Sequence, residues 1–346
     1  MKLGWRGLLG FTITLLLLWW VFRDVELLEV WREIRESNIW LLGLAVIIAT
    51  VTFLLRAFRW RVLLVPISPG TSLRSRFAAV NIGFMANNLL PARVGEFARA
   101  YALGRMEPVP VSGAFASLVV ERFLDGLAIV FFLFVAMAAP SFPDRPAMGD
   151  LSLPALIQGV TLILGILLTG MLLLLLFPRP LLRIVEKLAR FLPEGLARLL
   201  VDAMEAFLEG LRVFQSPRLL LLALIWSLVI WAWQSLAFWV GFMAFGIQVS
   251  YAAALFVNAM VAFAVSVPAA PGFFGTFHAG ARVGLGVFGV PAGPTLAFAV
   301  GFHLGGFIPV TLMGLYYAWR LGISLQEVEA SEERVERAVE SAHPET

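Results

Sequence analysis

Six ionisable residues sit inside otherwise apolar stretches of this chain: Arg93, Glu96 and Arg99, then Glu121, Arg122 and Asp125. The first three recur at i, i+3 and i+6, so on a helix they share a face and Glu96 can pair with either arginine. Glu121 and Asp125 stand at i, i+4 on one face, with Arg122 beside them. A charge at bilayer depth costs at least about 2.5–3.5 kcal/mol on insertion scales, so such residues need mutual pairing or a wet cavity. Guanidinium presents a planar fork of donors that matches a phosphate. The chemistry is therefore anion coordination. Arg93, Glu96, Arg99 and Arg122 form the candidate headgroup site, with Glu121 and Asp125 as its supporting ion network. The same six residues also fit a purely structural network that staples one segment to the next. A second set lies downstream: Asn258, Pro271, Gly272, His278 and Arg282. His278 and Arg282 are at i, i+4, which suits a headgroup or proton-sensing role, though a hydrogen-bonded packing histidine is the simpler reading. A zinc pair of His278 and His303 lacks matching carboxylates, and neither a metal nor a cofactor is implied.

These residues must be positioned by membrane helices. Of 346 residues, 60% are hydrophobic and 14% charged, against about 45–50% and about 25% in soluble domains. This excludes a water-soluble enzyme, a nucleic-acid binder and a disordered chain. Cysteine is absent, so no thiol chemistry is available. Spans are expected at Gly7–Phe22 (an uncleaved first helix), Ile39 to about Phe58, Val111–Pro140, Pro154–Phe177, Arg218–Phe245 and Pro294–Arg320. Arg23–Asn38 reads as a charged helix and 178–217 as an amphipathic linker on the membrane surface. Tryptophans, including Trp60, Trp231, Trp233 and Trp239, are expected in an interfacial belt. Residues 323–346 read as a solvated acidic helix or tail. The Gly301/Gly305 face suits either internal packing or a homo-oligomer.

Two apolar segments are interrupted. Phe77–Leu103 contains Asn81, Asn87, Asn88, Pro91 and Gly95, and Tyr251–Val290 contains Asn258, Pro268, Pro271 and Gly272. Each is expected to enter and leave on one side of the bilayer, as a re-entrant hairpin. With the N-terminus inside, seventeen basic residues fall on the cytoplasmic side, among them Arg56, Arg59, Arg61, Arg74 and Arg76, and four fall outside. That asymmetry obeys the positive-inside rule and puts both termini in the cytoplasm of a multi-pass inner (plasma) membrane protein. The expected fold is all-α and polytopic, with about six full transmembrane helices and two re-entrant hairpins. Its order repeats, about 7–140 and then about 154–321, within a single membrane domain of 1–322. Three crossings per half make the second half inverted, an arrangement found in transporters. Half-helices starting after Pro91 and Pro271 would aim their N-termini at the midplane, where an anion suits them.

No G-x-x-x-x-G-K-[ST], H-E-x-x-H or G-x-S-x-G sequence is present, so neither ATP hydrolysis nor a familiar intramembrane hydrolase is indicated. Three motifs bear a resemblance: Asn88-Leu-Leu-Pro-Ala-Arg93-Val-Gly-Glu96-Phe-Ala-Arg99, Glu121-Arg122-Phe-Leu-Asp125 and Pro271-Gly272-Phe-Phe-Gly275. Over roughly residues 8–322 the chain resembles the lysylphosphatidylglycerol synthase transmembrane-region family, the flippase-like domain of the multiple peptide resistance factor, found also in AglD-like membrane proteins. The resemblance implies paired re-entrant hairpins and movement of a lipid between leaflets, with an anionic phospholipid or polyprenyl-phosphate headgroup as partner. Near His278 the family commonly carries an acidic residue, so an acid-dependent coupling step is not implied. Nor is lysyl-lipid synthesis, since no counterpart of the aminoacyl-transferase domain lies in these residues. The alternative is a membrane enzyme or accessory subunit acting on a lipid-linked substrate, as in glycosyl transfer.

Overall fold

The computed structural model describes residues 5–90, 94–143, 162, 187, 216–267 and 270–342. The expected span Pro154–Phe177 and the linker 178–217 lie outside the described residues apart from Leu162, Lys187, Ser216 and Pro217, as do Pro91, Arg93 and Pro268.

All regular structure among the described residues is helical. The helices are α1 (Trp5–Phe22), α2 (Leu27–Glu36), α3 (Ile39–Leu64), α4 (Leu73–Leu89), α5 (Gly95–Met106) and α6 (Val111–Met137). After the linker come α7 (Pro217–Ala244), α8 (Tyr251–Ser266), a 3-10 turn Pro271–Phe273, α9 (Thr276–Val287), α10 (Ala292–Arg320), α11 (Leu325–Glu329) and α12 (Ser331–Ala342). Helices α3, α7 and α10 are long and apolar enough to cross a bilayer, with mean hydropathies of 2.3, 2.0 and 1.8. At 27 residues α6 has the length, but Glu121, Arg122 and Asp125 interrupt its apolar run.

Starts are set locally. Asn38 Oδ1 accepts from the Trp40 and Leu41 backbone N–H groups at 3.1 and 3.2 Å. Ser72 caps α4, Ser216 caps α7 ahead of Pro217, and Ser250 caps α8. Each satisfies donors that a helix leaves open at its first turn. One core joins the C-terminal part of α3 to α4, α5, α6 and the C-terminal end of α10, around Trp60, Leu63, Ile82 and Leu103. A second joins the opposite parts of α3, α7 and α10 to α8 and α9, around Phe238, Phe242 and Phe298. The two interrupted segments are thus helix pairs, α4–α5 and α8–α9, one in each core. In the first pair the backbones nearly touch: a Cβ on Gly95 would lie 2.3 Å from the Gly83 carbonyl oxygen. The C-terminal end of α4 meets the Pro271–Phe273 turn, where Gly272 holds φ +75°, a conformation glycine adopts without cost.

Two expectations change, and the choice left open for the Gly301/Gly305 face is decided. Trp60 is fully buried, and the half-buried Trp233 and Trp239 donate to the carbonyls of Ile48 and Val249 at 2.8 and 3.0 Å, while Trp19, Trp40 and Trp319 are exposed. Residues 325–342 are helical, one of the two expected forms, but they dock instead of standing free in solvent. Val328 and Val335 enter the first core, Arg334 donates to the Tyr101 hydroxyl, and Glu327 pairs with Arg105 at 3.6 Å and Arg334 at 3.8 Å. Val335 docks α12, while its charged neighbours Glu333 and Arg337 stay exposed. The Gly301/Gly305 face is occupied internally, by Phe245 and Val46.

Gly95→Ala should lower stability by about 1–3 kcal/mol through overpacking, measured by equilibrium unfolding in mixed micelles. Gly126→Ala, which faces open space, should stay within about 0.5 kcal/mol. The Ser324 backbone N–H donating to Glu327, helped by Arg105 and Arg334, holds that carboxyl below its ordinary value of 4.5. Its contribution to docking is therefore present above about 4.5 and is lost as the pH falls through the lowered value. Hydrogen exchange across 324–338 should quicken on acidification, and Glu327→Gln should quicken it at neutral pH.

Candidate functional site

The carboxylates of Glu121 and Asp125 lie one helical turn apart on α6 and gather arginines from three helices. Arg99 on α5 donates through Nη1 and Nη2 to the two Glu121 oxygens at 2.7 and 3.1 Å. Its guanidinium lies 4.0 Å over the Trp60 ring, and the Trp60 indole N–H donates to Ser117 Oγ at 2.8 Å. Arg122 reaches Glu121 at 2.6 Å and Asp125 at 3.1 Å while its side chain stays 43% exposed. From α3, Arg59 pairs with Glu121 at 3.1 Å and with Asp125, and also donates to Ser227 Oγ at 2.8 Å. Arg56 meets Asp125 at 3.3 Å, and the Trp231 indole N–H on α7 donates to the same carboxylate at 3.0 Å.

Two corrections follow. Arg56 and Arg59 do not belong to a basic cluster beyond the second span: α3 runs to Leu64, and both side chains are buried in the ion network. Their i, i+3 spacing within an apolar helix was the available signal; a span estimate ending near Phe58 hid it. Of the partners open to Arg99, the structure selects Glu121 across on α6 and not Glu96 on its own helix. Glu96 is half-buried. Arg93 lies outside the described residues. Arg76, also read as topological, is buried and donates to the Ala57 carbonyl at 2.9 Å, holding α4 against α3.

Four guanidinium groups face two carboxylates, so positive charge is in excess at this place. Arg56 carries it into a cavity of about 240 Å³ where α3, α4, α7, α8 and α10 converge on the Pro271–Phe273 turn. The polar wall consists of Thr52, Arg56, Asn88, Gln234, Asn258 and His303. Thr52 donates to Gln234 Oε1 at 2.9 Å, Asn258 to Ser235 Oγ at 3.0 Å and Asn88 to Thr311 Oγ1 at 2.8 Å. The remaining wall is largely aromatic, with Phe84, Phe273, Phe277 and Phe307 prominent. Asn258 thus belongs to the site, and Pro271 and Gly272 shape the turn that closes it. Next to it Asn87 Oδ1 accepts from the Gly95 N–H at 2.9 Å, occupying the first donor of α5.

The other residues of the second set serve elsewhere. Arg282 donates to the Trp20 carbonyl at 2.8 Å, to the Val21 carbonyl and to Asp24 at 3.1 Å. It therefore caps the C-terminus of α1, where a cation suits the helix dipole. His278 is buried among Phe22, Phe274 and Phe277, with its ring 5.4 Å from that of His303.

Asp125→Asn should destabilise the protein by about 3–5 kcal/mol, because it strips the counter-charge from buried Arg56 and Arg59. Arg122→Gln, at the half-exposed edge, should cost about 1 kcal/mol or less. Equilibrium unfolding in mixed micelles separates the two.

A family model described as the lysylphosphatidylglycerol synthase TM region matches residues 7–314. A UPF0104 membrane protein of Methanothermobacter thermautotrophicus is 25% identical over 320 residues, covering 86% of this chain and 90% of that protein. Another UPF0104 membrane protein, from Methanocaldococcus jannaschii, is 34% identical over 95 residues, 27% of this chain and 28% of the relative. Glycosyltransferase AglD of Haloferax volcanii is 30% identical over 120 residues, 35% of this chain and 19% of that protein. No solved structure matches. With the family model spanning both helix pairs and the arginine–carboxylate network, the chain belongs to the lysylphosphatidylglycerol synthase transmembrane-region family of membrane proteins.

Proposed function

We propose that this protein moves an anionic lipid between leaflets, the headgroup crossing through the cavity beside Arg56 while the acyl or prenyl chains stay in the bilayer. The observation that carries the reading is a buried cluster with more guanidinium than carboxylate, opening through Arg56 into a cavity at the junction of the two helix pairs. Excess guanidinium in a low-dielectric place favours a phosphate, which accepts charge-assisted hydrogen bonds from the planar fork. Arg56 and Arg122 are the proposed headgroup contacts, joined by Arg93 and by Glu96 from the first turn of α5. Arg99 and Arg59, both committed to Glu121, hold the carboxylates in place.

On this reading α4–α5 and α8–α9 are re-entrant hairpins of an inverted repeat, entering from the cytoplasmic and outer faces. Their membership of opposite cores supports this, as does the meeting of α4 with the Pro271–Phe273 turn. Backbone that leaves the helix at membrane depth is tolerated where it lines protein or a cavity. Both termini are cytoplasmic, in keeping with the arginine distribution. The partial likeness to a protein named as a glycosyltransferase favours a second reading, glycosyl transfer to a lipid-linked acceptor.

Reconstituted vesicles bearing labelled phosphatidylglycerol or a polyprenyl phosphate test the proposal. Protein-dependent transfer is expected, slowed about tenfold or more by Arg56→Gln and by the better-tolerated Arg122→Gln. Transfer no faster than in protein-free vesicles overturns it. Product formation from a sugar donor would establish the second reading instead.

A further inference from the structure

A second polar cavity, of about 370 Å³, lies where the N-terminal turn of α4, the C-terminal turn of α5 and the C-terminal end of α10 come together. Arg74, Arg105 and Arg320 line it, one from each helix, beside Ser75. Met106 and Tyr317 supply an apolar flank. None of these residues belongs to the cluster around Glu121 and Asp125, and the cavity lies in the half of the molecule that carries α11 and α12. The carboxylates nearby are engaged. Glu327 pairs with Arg105 at 3.6 Å and is shared with Arg334, and Glu107 accepts the Ser72 backbone N–H at 3.1 Å. Arg320 rests on the Tyr316 hydroxyl at 3.2 Å, and Arg74 forms no ion pair among the described residues.

Three like charges would ordinarily splay away from one another into water. Here three separate helix ends bring them to one concavity, and the N-terminal end of the α4 dipole adds partial positive charge on the same side. A planar carboxylate occupies one or two guanidinium forks, whereas a tetrahedral phosphate offers oxygens in three directions. We propose that this cavity binds a phosphate group, as a monoester or diester, held by Arg74, Arg105 and Arg320 and separate from the central cavity. The flank of Met106 and Tyr317 suits a lipid headgroup with its glycerol; inorganic phosphate or a soluble phosphate ester presents the same oxygens.

The test uses the full chain in zwitterionic detergent, with native mass spectrometry of retained phosphatidylglycerol and equilibrium dialysis with radiolabelled inorganic phosphate. The expected result is an about tenfold loss of one or both ligands in Arg74→Gln/Arg320→Gln, with Arg32→Gln, an exposed arginine of α2 that lines neither cavity, as a comparator that keeps them. Loss of lipid alone identifies a headgroup site, and loss of inorganic phosphate alone a soluble ligand. Unchanged binding of both overturns the proposal. Should the double variant fold poorly, arginine modification of the wild-type chain by phenylglyoxal decides: either ligand should slow labelling of Arg74 and Arg320, and unslowed labelling of both overturns the site. Neither readout depends on lipid transfer, so failure here and failure of the transport proposal remain distinct.

Discussion

Two carboxylates on one apolar helix impose the main constraint on this molecule. Glu121 and Asp125 are almost completely withdrawn from solvent, and a buried charge is tolerated only with close, well-aligned partners. Those partners come from α3 and α5, from α6 itself and, through the Trp231 and Ser227 side chains, from the contacts made with α7. Four helices therefore have to converge on one turn of α6. The glycine contact between α4 and α5 belongs to the same constraint, because the closeness of Gly83 and Gly95 fixes the line along which α5 carries Arg99 to Glu121.

The two helix pairs are alike in backbone and unlike in chemistry. The first brings guanidinium, carboxylate and asparagine side chains. The second brings Asn258, a phenylalanine-rich turn and His278, packed among rings beside His303 of α10, while its one arginine caps α1. The cavity lies between them, and its walls inherit this difference: charge on the side of Arg56, aromatic surface on the side of Phe273, Phe277 and Phe307. Such a wall is suited to a ligand with one charged and one apolar part.

Much of this was legible before any coordinates. The apolar runs announced the long helices, the asparagine–proline–glycine interruptions located the two breaks, and the charges within α6 marked that helix as different from its neighbours. Arg99, Glu121, Arg122 and Asp125 do meet, as their placement in apolar segments demands. What was not legible has specific causes. Arg56 and Arg59 follow a strongly apolar run, and by sequence they look like charges that end a span. Only the continuation of α3 to Leu64 puts them inside. Arg282 looks like a second-site ligand until the end of α1 is found beside it. Trp60 looks interfacial until Arg99 stacks on it.

The amino-acid sequence by itself determined the solvent this chain lives in, the helical class, the positions of its breaks and which charges had to find partners. These follow from composition and spacing, which act locally along the chain. Tertiary structure alone decided who the partners are. A helical pattern specifies a face but not what faces it, so pairing at i, i+3 within α5 and pairing across to α6 are equally compatible with the residues. Desolvation settles the matter, because only the cross-helix arrangement gives both buried carboxylates enough donors. The resulting excess of guanidinium, from which the functional proposal starts, belongs to three helices together and is written in none of them alone.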